Sequence, residues 1–270
     1  MRERMTVLAF AMAWVAVVWG AAAGAQALPE PQQLQEALDD VGYAELLGAA
    51  QLSDEQLIAL QDLQAQAQMD AAVSPELAPV LTKLLAAVLS GMSVEEARQS
   101  LGEGQQILQQ AQQRRQQSLQ AATAQLAQRL TNEQQDALVW FSSPAHALDG
   151  AVGMVAQTRA MPDAQWQQFK QQASQALASM ASQMGMGNGA SAEQVAALLD
   201  AARALDEATF QAQRPTLARE WLPKLMPALA QRLQDPQFRQ QQLTQACQHL
   251  IAYPRASALL QARLDATPAP

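Results

Sequence analysis

The sequence has few of the residues on which enzymes and disulfide-stabilised secreted domains depend. Its 270 residues include one cysteine, Cys247, and two histidines, His146 and His249. A single cysteine excludes an internal disulfide, so the folded chain depends on its core; we expect Cys247 to be buried, and a bridge between two chains is the alternative. Neither histidine lies in a recognised nucleophile motif. Cys247 and His249 are two residues apart on a predicted helix and therefore make poor joint metal ligands. We predict no catalytic residues and no cofactor.

Aromatic residues and basic charge are also scarce. Phe, Trp and Tyr make up 4% of the chain, and the formal net charge is -8. Nucleic-acid binding generally needs a basic surface and, for single strands, aromatic side chains on which bases stack. We therefore predict no nucleic-acid partner. Protein clients or proteins of the cell envelope fit better, and basic partners fit better than acidic ones.

Segments with the periodicity of β-strands are absent as well. No run of four to eight residues alternates convincingly between apolar and polar side chains. Apolar residues instead recur at spacings of three and four, and 44 glutamines stand among Leu and Ala as neutral, solvated helix faces. The sequence predicts an all-α fold: a multi-helix, bundle-like array with one long central helix and a smaller C-terminal helical part.

The N-terminal segment has the features of a signal peptide. Two arginines precede apolar residues 5–23, and residues 25–27 form a small-x-small cleavage pattern. We expect cleavage of residues 1–27 and therefore a periplasmic or secreted protein without a stable membrane span. The alternative is an uncleaved anchor, since about 19 apolar residues could just cross a bilayer.

The stretch from Gln105 to Leu130 predicts the long central helix. It contains no Gly or Pro, and its Gln, Leu, Ala and Arg residues are good helix formers. Such a helix is about 39 Å long at a rise of about 1.5 Å per residue. Arg115 interrupts its apolar stripe. That residue either extends from the edge of the stripe into solvent or pairs with a carboxylate on a neighbouring helix.

A glycine-rich segment predicts a division of the chain. Three glycines lie within MGMGNGA, which is typical of a linker. In the C-terminal part we expect Pro215, Pro223 and Pro227 to break the helices into short pieces. The predicted units are the N-terminal helical domain 28–184, the linker 185–190, the C-terminal helical subdomain 191–264 and the frayed tail 265–270.

Two five-residue motifs each begin with Leu and continue as a capping box. In a capping box the Ser or Thr oxygen accepts a hydrogen bond from the backbone N–H three residues later, and the Gln side chain at that position reaches back. The motifs therefore predict helix starts. A similar box without the Leu recurs at Ser191. The motif residues are Leu52, Ser53 and Gln56 in the first copy, and Leu130, Thr131 and Gln134 in the second.

These two motifs resemble the LTxxQ motif that occurs twice in the Spy and CpxP family of small periplasmic helical proteins. In that family the motifs help to join the helices of a thin, cradle-shaped dimer, and members act as ATP-independent chaperones or as envelope-stress and metal-response proteins. The resemblance covers the motifs and the helices that they begin, between residues 50 and 145. It implies a non-catalytic, chaperone-like interaction module of the cell envelope and a homodimer. This chain is longer, has Ser53 in place of Thr, and is acidic where the best-known member is basic.

Two other functions remain open. One is a structural or scaffold protein of the envelope, which should lack the contiguous exposed apolar patch that marks a client-binding surface. The other is copper handling by Met180, Met184 and Met186, because clustered thioethers bind Cu(I) and the first two share a helix face. Methionine is also a common gap-filler in cores with few aromatic residues, and we favour this structural role.

Overall fold

A computed structural model of the chain describes residues 31–71, 82, 94–183 and 190–266. Every regular element in these residues is helical and none is a strand, which confirms the predicted all-α fold and multi-helix array. The chain divides into two compact units, residues 1–41 and 42–270. Within the described ranges, no helix is long and apolar enough to span a membrane. The predicted signal peptide lies outside the described residues.

Eleven α-helices and one 3₁₀ turn have both ends within the described residues, and Thr82 is also helical. They are α1 (Pro31–Ala50), α2 (Asp54–Ala71), α3 (Val94–Arg129), α4 (Asn132–Ser142), the 3₁₀ turn (Pro144–His146), α5 (Ala147–Thr158), α6 (Asp163–Gln183), α7 (Ala192–Ala204), α8 (Glu207–Leu225), α9 (Pro227–Arg232), α10 (Pro236–Ala252) and α11 (Ala256–Ala266).

The helices begin where local sequence signals place them. Thr131 and Ser191 cap α4 and α7 with complete capping boxes. Asp206 caps α8 by accepting a hydrogen bond from the N–H of Thr209 at 2.9 Å. Asp235 caps α10, in which a proline occupies the first position. Each cap satisfies an N–H group that the first helical turn leaves without a partner, so it acts independently of tertiary packing.

The expectation that Pro215 and Pro223 break the C-terminal helices is wrong, because both lie inside the continuous helix α8. Proline removes one helical N–H, which leaves the carbonyl four residues earlier without its usual donor. Residues 211–216 are all exposed, so this part of α8 faces solvent. Pro227 does begin a separate helix, since its missing N–H is not needed at the first helical position.

One hydrophobic core joins helices from both ends of the 42–270 unit. The last two turns of α1 bury side chains in it together with α2, α3, α4, α10 and α11. Helix α10 packs against α2, α3 and α4, and α11 packs against α2. The large side chains that are almost fully buried in this core include Tyr43, Leu60, Leu126, Leu138 and Leu250.

Helices α5 to α9 bury a second set of apolar residues. Helix α6 packs against α7, and α8 packs against α5, α7 and α9. The large buried side chains in these helices include Leu148, Trp166, Leu199, Phe210 and Leu229. Both sets of helices therefore have large apolar side chains removed from water, which is the main favourable contribution to folding.

The predicted division of the chain at residues 185–190 stays a prediction, because residues 185–189 lie outside the described part. The helix contacts do not follow the predicted units. Helices α10 and α11 of the predicted 191–264 subdomain pack on α2, α3 or α4, whereas α7 packs on α6 and α8 on α5. Local periodicity gives each helix an apolar stripe but does not specify which other stripe it contacts.

Candidate functional site

The two Leu-Ser/Thr-x-x-Gln motifs each form a complete capping box. In the first, the N–H of Ser53 donates to Gln56 Oε1 at 2.9 Å, and the N–H of Gln56 donates to Ser53 Oγ at 3.3 Å. In the second, the corresponding distances between Thr131 and Gln134 are 2.9 Å and 3.2 Å. The two boxes begin α2 and α4 with the same geometry.

The glutamines of the two boxes bind each other although they are 78 residues apart in sequence. Gln56 Nε2 donates to Gln134 Oε1 at 3.0 Å, and Gln134 Nε2 donates to Gln56 Oε1 at 2.9 Å. A primary amide has both donors and acceptors, so two glutamines can form this reciprocal pair. We call residues 51–56 and 129–134 together the motif junction.

The same two amides also bind the chain that precedes the opposite motif. Gln56 Nε2 donates to the carbonyl of Arg129, the last residue of α3, at 2.7 Å. Gln134 Nε2 donates to the carbonyl of Gln51, just after α1, at 3.1 Å. The junction therefore has a local two-fold pattern in which two helix starts satisfy polar groups beside two helix ends.

The junction combines one strained backbone position with two buried leucines. Gln51 has a φ of 46°, the left-handed region that costs a residue with a side chain about 1–2 kcal/mol. Leu52 and Leu130 are 7% and 6% exposed and belong to the hydrophobic core. Each motif thus places its Leu in the core and its Gln in the opposite box, so the motifs connect four helix termini.

Comparisons with known proteins give no match. No protein-family model matches this chain, and neither does any curated protein or solved structure. The resemblance to LTxxQ proteins therefore depends on the two motifs and the helices that they begin. The resemblance itself stays a prediction.

The contribution of the amide pair can be separated from that of capping by comparison with the unpaired box of α7. We expect Gln56→Ala to lower the free energy of unfolding by about 2 kcal/mol, because it removes a capping bond and the bonds to Gln134 and to the end of α3. Gln194→Ala removes the equivalent capping bond at Ser191 and should cost less than about 1 kcal/mol. Urea denaturation measures both losses.

Ser53→Ala and Ser191→Ala serve as the controls, since each removes one hydroxyl acceptor for a backbone N–H. Both should cost about 1 kcal/mol. Equal losses for Gln56→Ala and Gln194→Ala would show that the contacts between the motifs add nothing to plain capping.

The methionine cluster lies largely outside the described residues. Met180 is in α6 and half-buried, whereas Met184 and Met186 are not described. Within the described ranges, no three His, Cys, Asp or Glu side chains are arranged to hold a metal ion. Copper binding by the three thioethers stays a hypothesis, and titration of the full chain with Cu(I) tests it.

The other candidate side chains, Cys247, His146 and Arg115, lie in environments typical of structural rather than reactive residues. Cys247 is fully buried, and burial raises the pKa of its thiol to about 12, which keeps it protonated and unreactive at neutral pH. His146 Nδ1 lies 3.0 Å from Asp149 Oδ2, which also accepts a hydrogen bond from Trp140 Nε1 at 2.6 Å. Arg115 is exposed on α3.

The carbonyl groups of Gln51 and Arg129 are the part of the junction that sequence reasoning missed. Both accept hydrogen bonds from a glutamine of the opposite motif. Every residue has a carbonyl, so no residue type marks these positions. The only signal was their equal distance from the motif glutamines, five residues before Gln56 and five before Gln134.

Proposed function

We propose that this chain is an exported, non-catalytic protein-interaction module of the cell envelope with chaperone-like activity. The motif junction is the observation that supports it, because its paired amides and buried leucines join the ends of α1 and α3 to the starts of α2 and α4. A joint of this kind fixes the relative directions of helices that present polar surface to a client. Export is inferred from residues 1–27, and a periplasmic or secreted location follows from it.

The activity test compares two junction leucines with a leucine elsewhere in the same core. Leu52→Ala and Leu130→Ala remove motif side chains, whereas Leu138→Ala removes a fully buried side chain of α4. Each should cost about 2–5 kcal/mol of stability. We expect the two motif variants to suppress aggregation of a model client several-fold less well than Leu138→Ala, at a temperature where all variants remain folded.

The comparison separates a positioning role from a purely structural one. The ratio of aggregation suppression to unfolding free energy should fall for the motif variants and stay unchanged for Leu138→Ala. If suppression falls only in step with stability in all three, the motifs are helix caps without a role in client binding. A wild-type protein that suppresses no aggregation rejects the chaperone-like activity.

A structural or scaffold protein of the envelope is the second candidate function. Among the described residues, only Leu34, Val41, Ile58 and Met161 are large apolar side chains that are exposed. Contiguous exposed apolar patches larger than several hundred Å² mark binding surfaces, whereas these four side chains lie in α1, in α2 and in the loop after α5. Cross-linking in intact cells distinguishes the candidates, since a scaffold should give one constant partner and a chaperone a set that changes with protein-folding stress.

A further inference from the structure

Helix α3 has a span that is exposed on every side. All the residues from 112 to 117 are exposed, and no described side chain between residues 106 and 117 is buried. Such a run covers about one and a half helical turns, so it includes every face of the helix. The described α3 side chains that belong to the hydrophobic core all follow this span, and they are Leu119, Ala122, Leu126 and Ala127.

The exposed span depends on the helix itself for its stability. Most helical stability in proteins comes from tertiary packing of an apolar face, and isolated helices are marginal in water. Gly102 and Gly104, which precede the span in α3, lower the helix propensity further. Opening of the span leaves the core contacts from Leu119 onward intact. We therefore expect it to open locally far more often than the whole chain unfolds.

The centre of this span holds a pair of arginines. Arg114 and Arg115 are the only two adjacent basic residues in the whole sequence, and no acidic residue lies between Glu103 and Glu133. Endoproteases that cleave after Arg hold its guanidinium group with a carboxylate in a specificity pocket, as trypsin does. Neutral glutamines on both sides of the pair do not repel such a pocket. Exposed ion pairs contribute little to stability, so a carboxylate near either guanidinium group does not keep the span closed.

We propose that Arg114 and Arg115 form a proteolytic processing site for an endoprotease that requires two adjacent basic residues. The protease binds the locally opened span and hydrolyses the peptide bond between Arg115 and Gln116. Water is added across this bond, which leaves a carboxylate on Arg115 and an amino group on Gln116. The inference goes beyond the proposed function and does not depend on client binding.

Cleavage at this bond should leave the hydrophobic core assembled. The N-terminal fragment keeps α2, whose Leu60 is buried in that core. The C-terminal fragment keeps Leu126, Leu138 and Leu250 of α3, α4 and α10, which are buried in the same core. The two fragments should therefore elute together in gel filtration under native conditions and separate in urea. Separation under native conditions would show that cleavage destroys the fold.

Arg129 provides an internal control for local opening. It is exposed on the same helix, but the next residue, Leu130, is buried, and the Arg129 carbonyl accepts a hydrogen bond from Gln56. Brief trypsin digestion of the full chain, followed by mass spectrometry, should show cleavage after Arg114 or Arg115 at least about tenfold faster than after Arg129. Equal rates at the two places overturn the proposal.

A core variant distinguishes local opening from global unfolding. Gln64 is fully buried, so Gln64→Ala raises the population of the unfolded chain. It should accelerate trypsin cleavage after Arg129 at least about tenfold and change cleavage after Arg115 less than about twofold. Equal acceleration at both bonds would mean that the arginine pair is reached only by global unfolding, which overturns the proposal.

Single substitutions test the requirement for a pair. Kexin, an endoprotease that cleaves after paired basic residues, should cut the wild-type chain after Arg115 and should cut Arg114→Gln at least about tenfold more slowly. Trypsin should still cleave Arg114→Gln after Arg115, because Gln and Arg have similar helix propensities. Arg129→Gln is the matched control and should change neither cleavage at the pair. Failure of kexin to cleave the wild type overturns the proposal.

The chain recovered from the cells that naturally produce it tests processing itself. Mass spectrometry should detect a fragment that begins at Gln116 in the wild type and none in Arg114→Gln/Arg115→Gln. Absence of this fragment from the wild type overturns the processing site. Suppression of client aggregation is measured separately on the uncut chain, so the processing site and the proposed function can each fail without the other.

Discussion

Replacing Gln64 by Ala is expected to lower the free energy of unfolding by about 3 kcal/mol. Gln64 is fully buried, and its Nε2 donates to the Tyr43 hydroxyl at 3.0 Å and to the carbonyl of Leu250 at 2.8 Å. Its Oε1 accepts a hydrogen bond from Ser257 Oγ at 3.4 Å. The substitution therefore leaves a cavity and removes hydrogen bonds that join α2 to α1, α10 and α11.

The Tyr43 hydroxyl strengthens this expectation because it depends on the same network. It donates to the carbonyl of Leu250 at 3.1 Å, and burial raises the pKa of Tyr43 above its ordinary value, so the phenol stays protonated. Without Gln64 the buried hydroxyl still donates to Leu250, but its oxygen loses the donor that it accepts from. Unsatisfied buried polar groups typically cost about 1–3 kcal/mol each.

Gln66→Ala is the matched control on the same helix. Gln66 is exposed, and Ala is the better helix former, so its stability should change by less than about 0.5 kcal/mol. Gln64→Met retains most of the volume and should lose about half as much stability as Gln64→Ala. Chemical denaturation of the three variants measures these differences. A Gln64→Ala loss no larger than that of Gln66→Ala would contradict the buried network.

Trp166→Ala is expected to have the second large effect, a loss of about 4 kcal/mol. Trp166 is fully buried in α6, its Nε1 donates to Asp200 Oδ1 at 2.8 Å, and the guanidinium of Arg203 lies 4.9 Å from the centre of its ring. The indole thus links α6 to α7 by packing, a hydrogen bond and a cation–π contact. Thermal unfolding and urea denaturation measure the loss.

Trp166→Phe separates the hydrogen bond from the packing. Burial raises the pKa of Asp200, but hydrogen bonds from Lys170 and Trp166 outweigh it and hold the pKa below its ordinary value. The ionised carboxylate therefore stabilises the fold at neutral pH, and this contribution is lost as the pH falls through the lowered pKa. The Phe variant should move the pKa of Asp200 upward, which NMR titration detects. An unchanged pKa would show that the indole N–H does not stabilise the carboxylate.

Sequence analysis predicted the all-α class and many helix starts, because both depend on interactions between residues that are close in sequence. The spacing of apolar residues by threes and fours has the period of a helix, and it led to the all-α prediction that the structure confirms. Caps such as Thr131 and Ser191 bond within their own first turn, so they need no distant partner. Local signals misled only where context outweighed them, as at Pro215 inside α8.

Sequence analysis gave only part of the motif junction, because the junction depends on tertiary contacts as well as on local ones. The resemblance to a family with two such motifs identified Gln56 and Gln134 as motif residues, and it implied that the motifs join helices. Their reciprocal hydrogen bonds and the two backbone carbonyls that complete them depend on how chain segments 78 residues apart approach each other. Sequence reasoning supplied the residues, and the geometry that makes them a joint belongs to the tertiary structure.

By itself, the sequence determined the helical class, the capped helix starts and the absence of an internal disulfide. Only the tertiary structure decided which apolar stripes meet, and it placed α10 against α2, α3 and α4. It also decided that Gln64, one of 44 glutamines expected to face solvent, lies in the core. The physical reason is that hydrophobic burial is non-directional: a stripe specifies that it must be covered but not by which partner, and a polar side chain enters the core only where that partner supplies its hydrogen bonds.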